Sequence, residues 1–216
     1  MGYHRAGFME IVGVDNRPMP HYPFRFIQAD ALEYVAEHGR EFDVIHASPP
    51  CQAYSRLRHL PWLRGREYPM LILPVRELLS TTGRPYVIEN VSDAPIWGAE
   101  LCGAALGLEL SRHRRFESNV MLLFPPCPGH KTIQPGRATL GKRYAKQAGI
   151  TGVPKEISRE SIARHFVGVA LARKAMGIDW MTGKELAQAI PPAYTDFIGR
   201  QLLQAIQNES ATRPAG

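Results

Sequence analysis

Apolar and polar positions along the chain follow two rhythms. Short apolar runs ending on acidic or amide side chains recur in the first half: Ile11-Val12-Gly13-Val14-Asp15, then Phe24 to Ile27 leading into Gln28-Ala29-Asp30, then Asp43-Val44-Ile45-His46-Ala47, and Pro85-Tyr86-Val87-Ile88-Glu89-Asn90-Val91. Runs of this kind predict buried parallel strands. Helical patterning separates and follows them. Met1 to Gly7 reads as the end of a helix stopped by glycine, Ala31 to Glu37 as a helix, and Tyr68 to Leu79 as another despite Pro74, closed by Thr81-Thr82-Gly83. Leu101 to Leu106 predicts a short helix ended by Gly107; Ser158 to Met176 and Glu185 to Ile190 predict two more. Pro191 and Pro192 open a last amphipathic helix. Strands alternating with helices predict an α/β fold, a doubly wound and mostly parallel sheet.

The texture changes after Phe116. From Ser118 to Lys155 the chain carries Lys131, Arg137, Lys142, Arg143, Lys146 and Lys155 but no Asp or Glu, with several glycines and prolines. This predicts a small basic lobe inserted over residues 118–158 of a core spanning 1–117. A helical segment over 159–207 then returns to the core, and residues 208–216 read as a disordered tail.

Cys51 is the centre of the candidate chemistry. It follows a strand through Ser48-Pro49-Pro50, a turn that cannot continue a ladder, so its thiol stands at a strand's carboxyl end. Open α/β sheets bind ligands at that edge, and a thiol held there by prolines suits covalent attack better than packing. Glu89 and Asn90 end a second strand, and Arg112-His113-Arg114-Arg115-Phe116 lies further on. The chain PPCQ, then ENV, then RHRRF resembles, in order and relative position, the nucleophile, acid and R-x-R-x-aromatic motifs of the DNA cytosine-5 methyltransferases. AQAIPPAYTDFIG resembles that family's last motif, with Ala187 and Gln188 where the family has glycine and asparagine.

The resemblance covers most of the chain and implies a fold of the S-adenosylmethionine-dependent methyltransferase type. It implies that Cys51 attacks C6 of a flipped cytosine and that Glu89 holds N3 and the exocyclic amine. Arg114 then contacts the base, Arg112 supports it, and Gln52 and Asn90 orient the loop and the carboxylate. S-adenosylmethionine is the implied methyl donor, with Asp15, Asp30, Pro49, Gln188 and Ile190 as its implied contacts. An acid after a strand is also an ordinary turn residue, and Asp30 stands where the N-cap of the following helix falls, so two roles compete for its oxygens. A free cysteine is only a few per cent ionised at neutral pH, so neighbouring arginines would assist attack.

Composition narrows the picture. With 216 residues, 44% of them hydrophobic and 21% charged, the chain can bury one sizeable core. A net charge of +6 suits a polyanionic partner. Arg56, Arg58, Arg64 and Arg66, just past the nucleophile, and Lys131, Arg137, Lys142, Arg143 and Lys146 in the lobe are the expected contacts to double-stranded DNA. Three cysteines make no disulfide framework, and no segment reads as secretory or transmembrane. A monomeric, intracellular, cytoplasmic protein is expected. Cys127-Pro128-Gly129-His130 has a zinc-like spacing, but it is a single pair and no metal is expected.

Competing chemistries lack their residues. A zinc deaminase needs a second cysteine where Tyr54 stands and an H-x-E where His46 is followed by Ser48. Nothing marks a histidine partner and oxyanion hole for a cysteine hydrolase. RNA cytosine methylation and a catalytically impaired DNA-binding remnant remain as alternatives. The remnant reading has a particular basis: the resembling family opens with a strand and an F-x-G-x-G turn, whereas Met1 to Phe8 matches the helix that follows them. The first strand and glycine turn are therefore expected to be missing, with Met1 an internal methionine of a longer reading frame or the chain a weakly cofactor-binding form.

Overall fold

The structure, a computed structural model, describes residues 1–55, 65–129 and 169–212. Helix α1 (Gly2–Ala6) stops at Gly7, whose φ of 119° is a left-handed conformation that glycine adopts without a Cβ clash. Strand β1 (Val12–Asp15) pairs in parallel with β2 (Arg25–Gln28), and the pairing sets Asp15 opposite Gln28. Helix α2 (Ala31–His38) follows, then β3 (Ile45–Ala47), helix α3 (Ile72–Thr82) and β4 (Tyr86–Asn90). Pro74 falls in the first turn of α3, where a missing N–H breaks no intrahelical bond.

The unit β3–α3–β4 is parallel, with Ile45 opposite Tyr86 and Ala47 opposite Ile88. Beyond β4 the direction changes. Strands β5 (Ala99–Leu101) and β6 (Arg114–Ser118) complete a sheet in the order β3-β4-β6-β5, both added antiparallel. A parallel addition needs a crossover of a dozen or more residues, usually a helix, and the chain from Val91 to Gly98 and from Cys102 to His113 holds only one 3₁₀ turn, Gly103–Leu106. The four-stranded sheet is therefore mixed, not the mostly parallel sheet expected, and β1–β2 stand as a separate parallel pair. Neither β5 nor β6 was expected as a strand, and Leu101 belongs to β5 instead of opening a helix.

Helices α4 (Val169–Met176), α5 (Gly183–Gln188) and α6 (Pro192–Thr212) close the chain. Helix α6 continues through Thr212, so residues 208–212, expected as tail, are helical. Of the basic lobe, residues 130–158 lie outside the described residues.

The strand residues of β4 alternate between two apolar layers. Ile88 and Tyr86 pack with Ile45, Ile72, Val75 and Leu79 on the α3 side, while Val87 packs with Phe116, Leu101, Tyr194, Ile198 and Leu202 on the α6 side. Helices thus cover both faces of the four-stranded sheet. Helix α1 lies along α6 so closely that a Cβ on Gly2 would fall 2.2 Å from the Pro192 carbonyl oxygen. A third apolar group, built on Leu110, Met176, Ile178 and Leu186, seats α4 and α5 beside the 108–110 segment. The ion pair that joins α3 to the sheet is nearly dry: Arg76 meets both oxygens of Glu117, at 2.6 and 2.8 Å, and stacks over Trp97 at 4.2 Å.

Candidate active site

Parallel pairing of β3 with β4 brings their carboxyl ends to one edge, and the turn Ser48-Pro49-Pro50-Cys51 leaves β3 there. Three hydrogen bonds fix that turn on either side of the thiol. Asn90, itself 1% exposed, donates from Nδ2 to the Pro49 carbonyl at 2.9 Å, and the Cys51 carbonyl accepts from the backbone N–H of Tyr54 and Ser55. Cys51 itself is half-buried. Gln52 is exposed in the same turn.

Glu89 occupies the last-but-one position of β4 and is buried. Arg114, at the start of β6, reaches its carboxylate from Nε at 2.9 Å. Burial raises the Glu89 pKa above the usual carboxylate range, against the opposing pull of Arg114, Ser48 and Arg112. Arg112 is buried too, and dehydration together with the like charge of Arg114 lowers its pKa to about 10. Glu89, Tyr194 and Cys51 act the other way and favour its charged form. Its Nη2 donates to the Ala187 carbonyl at 2.7 Å, and its own carbonyl accepts from the Tyr194 hydroxyl. The last motif therefore meets the arginine motif through a backbone carbonyl.

A polar chain behind Glu89 was not anticipated from the sequence. The Tyr3 hydroxyl lies 2.6 Å from His46 Nδ1, His46 Nε2 lies 3.1 Å from Ser48 Oγ, and Ser48 in turn hydrogen-bonds Glu89. With Glu89 ionised and only accepting, Ser48 donates to it, accepts from the Nε2–H of His46, and leaves Nδ1 to accept from Tyr3. Dehydration holds His46 neutral, with a pKa lowered to about 4. That is the one-proton state this chain of donors requires.

The expected cofactor residues divide between two places. Asp15 ends β1 and accepts from the Arg17 backbone N–H at 2.8 Å. Asp30 caps α2, its Oδ1 accepting from Leu32 and Glu33, so the capping role competes in fact as well as in principle. Both carboxylates lie at the carboxyl end of the β1–β2 pair, and their acceptor chemistry fits ribose hydroxyls and an exocyclic amine. Pro49 is buried beneath the Cys51 turn, Ile190 is half-buried, and Gln188 is exposed at the end of α5. Arg66 is exposed; Arg56, Arg58, Arg64, Lys131, Arg137, Lys142, Arg143 and Lys146 lie outside the described residues.

The described part is thus an α/β protein with a cysteine, a buried carboxylate and two arginines gathered at one sheet edge. Comparison with solved structures finds the same fold in a crystal structure of a triple mutant of Spodoptera frugiperda DNMT2, with a TM-score of 0.56. The match covers 94% of this chain and 96% of that one at 13% identity, which makes the likeness one of fold. No protein-family model matches the sequence, and no curated protein does. Among the described residues, no helix is long and apolar enough to cross a membrane.

Proposed function

We propose that this protein is a DNA cytosine-5 methyltransferase that uses S-adenosylmethionine. The observation that carries the reading is the meeting of Glu89, raised in pKa by burial, with Arg114 at 2.9 Å, beside a thiol whose turn Asn90 ties to the same strand. Carbon 5 of cytosine is too weak a nucleophile to accept a methyl group unaided. Addition of a thiolate to C6, with N3 protonated, moves an electron pair onto C5.

In this reading the Cys51 sulfur forms the bond to C6 while Glu89 gives its proton to N3. Arg114 holds the carboxylate left behind and faces the base; Arg112 is a positioning residue, anchored on Ala187. Asp15 and Asp30 would hold the donor's ribose and adenine. When bound, S-adenosylmethionine supplies an electrophilic methyl group to C5. The C5 proton then passes to water, the sulfur–C6 bond breaks with its electron pair returning to Cys51, and N3 returns its proton to Glu89. A stacked base cannot reach this edge, so the target must leave the duplex, at a cost of a few kcal/mol.

The test uses duplex DNA and a matched RNA, each carrying 5-fluorocytosine, with labelled S-adenosylmethionine. Fluorine at C5 cannot leave as a proton, so the wild-type chain is expected to form a denaturation-resistant complex with the DNA and Cys51→Ala none. Trapping that survives Cys51→Ala overturns the assignment of the nucleophile. Trapping on the RNA alone overturns the assignment of the substrate.

A further inference from the structure

The β5–β6 pair carries a second group of reactive side chains, outside the candidate active site. Leu101 pairs with Arg114 in antiparallel register, so the next residues outward, Cys102 and His113, face one another at the open end of the pair. Cys127 comes to the same point along the chain that leaves β6. The Cys102, His113 and Cys127 ligand atoms all lie within 4.8 Å of one another. Cys102 and Cys127 are free thiols in mutual hydrogen-bond contact, Cys102 buried and Cys127 exposed. Glu100 Oε1 lies 3.9 Å from His113 Nδ1, within ion-pair range of the ring.

We propose that Cys102, His113 and Cys127 bind one zinc ion, which pins the segment after β6 to the end of the β5–β6 pair. Two soft thiolates and an imidazole are the donor set zinc favours, with metal–ligand distances of about 2.0 to 2.3 Å. Donor atoms bound to one tetrahedral ion at those distances stand about 3.3 to 3.8 Å apart, so the group needs a closure of about 1 Å. Each thiol gives up its proton to solvent on binding, and no oxidant is required. Spacing along the chain does not expose this group, because Cys102 and His113 are joined by strand register. Cys127 alone had a sequence signal, the Cys-x-x-His pair whose His130 lies outside the described residues.

The consequence reaches the active site by geometry alone. His113 stands between Arg112 and Arg114, and neighbours along an extended chain point to opposite sides. A metal on His113 therefore anchors the strand from one side while the two arginines face Glu89 on the other. The same ion would hold the start of the chain that leads into the basic residues 131–146.

The experiment is metal analysis of the full chain, purified under reducing conditions after expression with added zinc. About one zinc per chain is expected, with cobalt substitution giving thiolate-to-metal charge-transfer absorption and X-ray absorption reporting two sulfurs and at least one nitrogen. Cys127→Ser and His113→Asn should each lose the metal at least about tenfold and abolish the rise in melting temperature that zinc gives the wild type. Cys102 is buried and its replacement risks the fold, so the exposed Cys127 carries the test. A wild-type chain that stays metal-free after reconstitution overturns the proposal, as does full zinc occupancy in both variants. A Cys102–Cys127 disulfide found in place of metal overturns it as well.

Discussion

Burial raises the Glu89 pKa while Arg114, Ser48 and Arg112 pull it down, so its neighbours set its behaviour. Removing the Ser48 hydroxyl takes away a hydrogen bond that favours the carboxylate, while burial and both arginines stay. Ser48→Ala should therefore raise the Glu89 pKa further. If protonated Glu89 is the form that serves N3, activity falls as pH rises through that pKa. The fall is expected at higher pH in Ser48→Ala than in the wild type. A pH profile of methyl transfer checks this, and an unmoved basic limb would detach Ser48 from the chemistry. Glu89→Gln should lower turnover by about 10²- to 10⁴-fold, the usual worth of a positioned acid, while DNA affinity changes little. Equal losses of both would make Glu89 structural.

His46 gives a stability prediction of its own. Its pKa in the fold is lowered from 6.5 to about 4 by dehydration, so the folded state resists protonation. The stabilisation from keeping it neutral is full above about 6.5 and is lost as pH falls toward about 4. Such a shift corresponds to roughly 3 kcal/mol, less whatever solvent still reaches the half-buried ring. Glu89 has the opposite sign, its contribution lost as pH rises through its raised pKa. The melting temperature of His46→Gln should decline less between these pH values than that of the wild type.

At the scale of elements, strand pairing assembles the site and helix α6 locks it. Tyr194 is fully buried and its hydroxyl donates to the Arg112 carbonyl. Tyr194→Phe keeps the ring in the apolar layer with Phe116 and removes that bond together with the one the hydroxyl accepts from the Gly103 backbone N–H, each worth about 1 kcal/mol in stability. A drop in turnover larger than that factor, with unchanged DNA affinity, would place Tyr194 among the groups that position Arg112. The Arg76–Glu117 pair is a different case. Arg76→Ala leaves the buried Glu117 without its counter-ion, though still accepting from the Trp97 backbone N–H, and should cost about 3 kcal/mol; Arg76→Met with Glu117→Leu should recover part of it. Denaturant unfolding of the three chains decides.

The same scale shows what a linear reading could reach. The strands ending at Asp15, Ala47 and Asn90 were legible because apolar runs closed by polar residues have few other readings. Strand β6 was not, since Arg114-Arg115-Phe116-Glu117-Ser118 opens on charges that carry chemistry and hides its pairing partner. Ala99–Leu101 is too short to show any period, and only antiparallel register with β6 makes it a strand. Cys51, Glu89 and the two arginines were singled out by motif. Tyr3, His46 and Ser48 were missed because Tyr3 and His46 meet across 43 positions of chain, a separation that no spacing rule spans.

At the scale of the molecule, the sign of the charge bears on what the edge holding Cys51 would face. The chain carries 26 Lys and Arg against 20 Asp and Glu, and its densest one-signed stretches flank the chemistry: Arg56 to Arg66 follow Cys51, and Lys131 to Lys146 follow the arginine motif. Binding to a polyanion through such stretches releases counterions. Affinity then falls with salt by a slope of about 0.9 per phosphate contact on duplex DNA and about 0.7 on a single strand. Replacing Lys142, Arg143 and Lys146 together by Gln should reduce the slope by about 3 on duplex DNA if each meets a phosphate, and by about 2 on a single strand. Measured side by side on a duplex and on a single-stranded RNA of matched sequence, the two slopes separate the substrates independently of turnover. An unchanged slope on both removes this patch from the interface and assigns the electrostatic contact to the Arg56 to Arg66 stretch, where the same triple replacement of Arg56, Arg58 and Arg64 must then lower it.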